Sequence, residues 1–148
     1  MRRSKHNAVK LRAYVGTQDC FFDSKAEYRY ALWLESEREA GRVDQWVHHP
    51  EGVDLIGAQF GVVGHMEPDF SVWRPDGTHE YHEVKGMATA AWRLKRALLE
   101  QQRPETPYVV IDAGWPDEKN GGPRLFDDRR KNRAAKKKAR AAKKGARK

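Results

Sequence analysis

Cysteine is almost absent. Cys20 is the only one, so no disulfide can close within the chain and no zinc site can be built on thiolates. That usage fits a reducing, intracellular setting, and the cytoplasm is the expected location. No apolar run approaches the roughly 20 residues that a membrane helix needs, and the opening MRRSKHNAVK lacks the apolar segment of a secretory signal. Neither a secreted nor an integral membrane protein is expected. Acid is missing from both ends: residues 129–148 carry 12 Lys or Arg and no Asp or Glu, and residues 1–12 carry five bases and no acid. Residues 1–128 therefore hold 17 bases against 21 acids, although the whole chain has a net charge of +8. The basic character belongs to the tail.

A basic appendage on an acidic body suits an enzyme of nucleic acids. The tail attracts phosphates and releases counterions, while the body keeps acids for catalysis or metal binding. The plainer alternative is a tail that aids solubility or targeting. A membrane surface is a poorer partner, because the tail lacks large apolar residues to anchor it. With 34% charged and 39% hydrophobic residues, 148 residues suffice for one domain with a modest core.

Along the chain, residues 1–13 read as a flexible basic arm, and an extended piece near Tyr14 and Val15 leads through Gly16 to Phe21 and Phe22. Ser24 and Glu27 form a capping-box pair, and the helix they open runs to Gly41. Val43 to Pro50 reads as a strand, and Val53–Ile56 with Phe60–Val63 as a hairpin. Asp69 to Arg74 and His79 to Lys85 form two strands around the turn Pro75-Asp76-Gly77. A helix over about 89–102 stops at Pro104, and the continuous apolar run Tyr108 to Asp112 has the pattern of a buried central strand. Residues 113–128 look irregular, and 129–148 form a low-complexity tail expected to order only on a polyanion. The order gives a mixed α/β domain over 14–128, with helices covering a sheet.

The chemistry is concentrated in Pro68-Asp69 and Glu83-Val84-Lys85. On a strand alternate residues share a face, so Glu83 and Lys85 point the same way, and the hairpin can bring Asp69 beside them. Phosphodiester hydrolysis needs these groups. Carboxylates hold a hard divalent cation that polarises the phosphate and lowers the pKa of bound water. A lysine positions that water and offsets charge in the transition state.

These motifs resemble the PD-(D/E)XK, or restriction-endonuclease-like, nuclease superfamily. The order FDSKAE, PDF, EVKG, an Arg/Lys helix and YVVI is similar to small phage and prophage nucleases, among them the phage junction-resolving endonuclease I, over roughly residues 20–112. The resemblance implies a restriction-endonuclease-like core and a Mg²⁺- or Mn²⁺-dependent endodeoxyribonuclease of phage or prophage origin acting in the host cell. Asp69 and Glu83 would be metal ligands, together with the carbonyl of Val84, and Lys85 would position the water. Glu27 would be a further ligand or hold a metal-bound water, and Arg93 or Lys95 would contact phosphate. The tail residues Arg129, Arg130, Lys131, Lys136, Lys137 and Lys138 would bind DNA non-specifically. Branched DNA, such as a Holliday junction, is the implied substrate. A symmetric homodimer would place two active sites on two strands.

Plainer roles compete. Glu27 is also N3 of the capping box, Asp69 could cap a turn, and Glu83 and Lys85 could form a solvated strand face. His48, His49, His65, His79 and His82 invite a zinc site, but His79 and His82 fall on opposite faces of one strand, and all are expected chiefly at the surface. Trp92 and Trp115 read as core, with stacking on bases as the alternative, and Cys20 reads as an inert small hydrophobe. Two rival functions remain: a non-catalytic nucleic-acid-binding or packaging protein led by the tail, and a nuclease subunit of a larger DNA-processing complex.

Overall fold

The structure is a computed structural model and describes residues 9–115 and 122–126. The chain order is β1 (Leu11–Val15), β2 (Gln18–Phe22), α1 (Lys25–Glu39), β3 (Gln45–His48), β4 (Val53–Gly57), β5 (Gly61–Met66), β6 (Phe70–Trp73), β7 (His79–Lys85), α2 (Ala90–Gln102) and β8 (Tyr108–Asp112). A four-stranded sheet has the order β3-β6-β7-β8, and β1-β2 and β4-β5 form separate hairpins. β6 pairs antiparallel with both β3 and β7, whereas β8 runs parallel to β7 after the α2 crossover. The mixed α/β class read from the sequence is therefore present, and no helix among the described residues is long and apolar enough to cross a membrane.

The local chemistry explains the boundaries. Ser24 caps α1, its hydroxyl accepting from the Glu27 amide at 3.1 Å and donating to the Glu27 carboxylate at 3.0 Å. Gly41, with φ +76°, takes the left-handed turn after the helix that a side chain would resist. Thr89 caps α2 through the Trp92 amide. The β6–β7 turn closes on Gly77, again left-handed at φ +86°.

Strand alternation divides the core between the two faces of the sheet. On one face Phe22, Tyr30, Leu34, Trp46, Phe70, Val72 and Ile111 pack together, joining the sheet to α1 and the first hairpin. On the other, Tyr81, Tyr108 and Val110 meet Leu99 of α2 and Val53, Leu55 and Met66 of the second hairpin. Removing a large buried side chain here, such as Phe70, costs about 3–5 kcal/mol by the usual range.

Two expectations need correction, and a third gains detail. The arm read over 1–13 overlaps β1, since Leu11, Arg12 and Ala13 pair with Phe22, Phe21 and Cys20; residues 1–8 lie outside the described residues. Among the described residues β8 is not central but the last strand of the sheet, its outer side meeting a bridge from Ile111 to Leu125. Its continuous apolar pattern reports burial of both faces and says nothing of lateral position. Within the segment read as irregular, Arg124 pairs with the fully buried Asp112 at 2.8 Å, and Phe126 enters the second core cluster. The tail residues Arg129, Arg130, Lys131, Lys136, Lys137 and Lys138 lie outside the described residues.

Candidate active site

The β6–β7 ladder pairs Phe70 with His82, which sets the preceding Asp69 beside the far end of β7. There the Val84 amide donates to the Asp69 carboxylate at 2.8 Å. Burial first, and then the neighbouring carboxylates of Glu27 and Glu83, push the Asp69 pKa well above the usual carboxylate range, against the opposing pull of the Val84 amide and Lys85. Three carboxylates from α1, the start of β6 and β7 thus act on one another across the end of the sheet.

Glu83 and Lys85 share the α2 face of β7. The Lys85 ammonium donates to Glu83 Oε1 at 2.8 Å and stands 5.0 Å above the Trp92 ring. The buried Tyr108 hydroxyl donates to the other oxygen, Glu83 Oε2. Burial and the Glu83 charge push the Tyr108 pKa upward, which keeps the hydroxyl a donor. Val84 lies between these side chains as expected, with its amide committed to Asp69. Trp92 is thus the half-buried floor under Lys85 rather than an exposed base-stacking ring, while Trp115 and Cys20 are buried core.

Glu27 takes up the capping-box role read from the sequence. Its carboxylate completes the capping box, accepting from the Ser24 hydroxyl and from the Asp23 amide, and the residue is buried at the same end of the sheet. A cleft of about 380 Å³ opens beside it, lined by Asp23, His49, Pro50, Glu67, Pro68 and Asp69. Arg93 is exposed on α2 and lines a shallow groove with Trp92, Arg96 and Phe126. Lys95 is held on the His65 carbonyl at 3.0 Å, on the β5 side of the helix.

The surface expectation fails for two of the histidines. The His82 residue is 1% exposed, with Nδ1 bonded to the Tyr30 hydroxyl and Nε2 to Glu80, both at 2.7 Å. The His48 side chain is 4% exposed and packs on Phe22 and Phe70. His65 pairs with Asp54, and His79 stacks on Trp73. From the sequence Tyr108 reads only as part of an apolar strand. The signal for its role is that a phenol at the start of a buried run must find a partner for its hydroxyl.

Residues 3–116 match a family described as "Protein of unknown function (DUF1064)". The chain belongs to the DUF1064 family. Comparison with curated proteins and with solved structures finds no significant match. The DUF1064 match takes in α1, the whole four-stranded sheet and α2, and so every residue of the carboxylate–lysine site.

As a donor set, Asp69, Glu83 and Glu27 offer only oxygen, the preference of a hard divalent cation such as Mg²⁺ or Mn²⁺. The charges of Glu27 and Glu83 beside the buried Asp69 oppose its ionisation, and a bound cation would offset them. The donor chemistry suits such an ion, although among the described residues Asp69 and Glu83 do not join Glu27 in a group of donor atoms within 4.8 Å of one another.

Proposed function

We propose that this protein is a metal-dependent endodeoxyribonuclease with a restriction-endonuclease-like core. The observation that carries the reading is the desolvated Asp69, pressed by the charges of Glu27 and Glu83 and set across one ladder step from Val84-Lys85. The fold reading is supported by α1 preceding an antiparallel β3-β6-β7 set and by α2 leading to a parallel β8. Asp69, Glu83, the Val84 carbonyl and Glu27 would hold Mg²⁺ or Mn²⁺. The bound ion would supply a polarised phosphate, a more acidic water and a stabilised leaving oxygen.

The chain's own groups have separate tasks. Lys85 orients the attacking water and offsets negative charge gathering on the phosphate oxygens. Glu83 fixes the ammonium of Lys85, and Tyr108 fixes Glu83, so the pair approaches substrate already aligned. Water oxygen bonds to phosphorus as the bond to the 3′ oxygen breaks, leaving 5′-phosphate and 3′-hydroxyl ends. Arg93, at the outer face of α2, contacts the phosphate backbone, and the basic tail adds sequence-independent attraction.

Branched DNA is the proposed substrate, cut by a symmetric dimer, in keeping with the resemblance to phage junction-resolving nucleases. The deciding experiment incubates the protein and Asp69→Asn with Mg²⁺ and a labelled four-way junction, beside a linear duplex of matching sequence. Cleavage of the junction by the unaltered protein alone is expected. Equal cutting of both substrates would keep the nuclease and remove the preference for branches. One observation favours a second reading, a non-catalytic binder: the 12 Lys or Arg over residues 129–148. Binding that persists in EDTA and in Asp69→Asn, with no cleavage in Mg²⁺ or Mn²⁺, would establish it.

A further inference from the structure

Beside the carboxylate–lysine site, Glu27, His48 and His49 bring one donor atom each to within 4.8 Å of one another. We infer that they form a binding site for a borderline divalent transition metal of the Zn²⁺ or Co²⁺ type, with Asp23 or water completing the shell. The inference goes beyond the nuclease reading and shares only Glu27 with it.

Consecutive residues of an extended strand point to opposite faces, so His48 and His49 would ordinarily diverge. They do not. His49 has φ +46°, the only positive φ at a non-glycine residue among the described ones. Its amide donates to the Asp69 carbonyl at 2.8 Å, which anchors the turn. The turn lays the two imidazoles over each other, 3.8 Å between centroids and 26° from parallel. A left-handed conformation at a residue with a side chain costs free energy, and such outliers gather at functional sites.

The distances are unsuited to hydrogen bonds. His48 Nε2 lies 3.5 Å and His49 Nε2 3.8 Å from the same oxygen, Glu27 Oε2. A hydrogen bond would bring them to about 2.7–3.2 Å. Two donors on one tetrahedral ion, at bonds of about 2.0–2.1 Å, stand roughly 3.4 Å apart. His48 Nε2 is also buried with no hydrogen-bond partner, a state that costs free energy unless something supplies the contact. An ion does so, because neutral imidazole nitrogen is a good ligand for zinc-like metals. His49 Nε2 stands 3.9 Å from Asp23 Oδ2 as well, which puts a fourth protein donor in reach. The adjoining cleft, lined by Asp23 and His49, gives the ion a path in.

The test uses the metal-depleted full chain and Co²⁺ as the probe, followed by its visible absorption, with Zn²⁺ competing. Four proteins are compared: the unaltered chain, His48→Gln, His49→Asn and Asp69→Asn. Asparagine tolerates the left-handed conformation, so His49→Asn keeps the turn. The unaltered chain and Asp69→Asn are expected to take up one Co²⁺ with a tetrahedral spectrum that Zn²⁺ bleaches. Both histidine variants should weaken binding beyond the roughly 10–100-fold that loss of an outer ligand-supporting partner costs. Circular dichroism and melting confirm that each variant is folded. Stoichiometric binding that survives in folded His49→Asn, or that Asp69→Asn alone removes, overturns the proposal. So does an absence of binding to the unaltered chain. Failure of the metal-depleted chain to cleave in Mg²⁺ alone, beside tetrahedral Co²⁺ uptake measured separately, would sink the nuclease reading alone.

Discussion

At Asp69 two demands oppose each other. Its folded-state pKa lies above the unfolded value of about 3.9. The carboxyl therefore contributes stability only below that unfolded value, and the contribution is lost as pH rises through the folded one. Above that unfolded value, without metal, Asp69 costs stability. Asp69→Asn should consequently melt no lower than the unaltered protein in EDTA while cleavage falls about 10²–10⁴-fold, the range for loss of a positioned catalytic group. Scanning calorimetry beside a cleavage assay checks both halves, and a lower melting temperature for the variant would contradict the account. Tyr108 offers a gentler test, because among the described residues its hydroxyl bonds only to Glu83. Tyr108→Phe should weaken Mg²⁺-dependent activity about 10–100-fold, as loss of a ligand's outer partner typically does. Raising Mg²⁺ should recover part of the rate, whereas a purely structural role would leave the metal dependence unchanged.

At the scale of elements, α1 joins fold and site through one residue. Ser24→Ala removes the cap and should cost about 0.5–2 kcal/mol in urea unfolding. It also frees one oxygen of Glu27, so activity should fall by more than the stability loss explains. On the opposite face of β7, burial depresses the His82 pKa, while His82 and Arg74 hold the Glu80 pKa down to about 2. A depressed carboxyl contributes stability that is present above its unfolded pKa and is lost as pH falls through the folded value. Glu80→Gln should thus lower stability at neutral pH and flatten the acid limb of the stability curve between about 4.5 and 2. Melting temperatures measured across that range would reveal a limb as steep as before if the idea is wrong. What the sequence made legible at this scale was local. The capping pair at Ser24 and Glu27, the Pro75-Asp76-Gly77 turn and the alternation of Glu83 with Lys85 are each written in a few adjacent residues, and all stand where expected. The misjudged features need distant partners. β8 could not be read as an edge, because apolar runs report faces and not neighbours. The meeting of His48 with His49 depends on one backbone torsion that no residue pattern spells out.

For the whole molecule, charge and catalysis are separated along the chain. The 12 Lys or Arg over residues 129–148 contain none of the proposed metal ligands, so their removal should weaken DNA binding and leave the chemistry at saturation intact. Truncation after residue 128 is expected to reduce the slope of log affinity against log salt, by about 0.9 for each lost phosphate contact on duplex DNA. Fluorescence anisotropy over a salt series measures it, and an unchanged slope would deny the tail its role. The short stretch at residues 122–126 then acquires a mechanical meaning. Arg124 is clamped to the buried Asp112, and Phe126 sits in the groove formed with Trp92 and Arg93. The chain is therefore pinned beside the ring on which Lys85 rests. Covalent attachment to that anchor raises the effective concentration of the tail's cations around α2, an advantage set by connectivity rather than by any new contact. Asp112→Ala would loosen the anchor without removing a single positive charge.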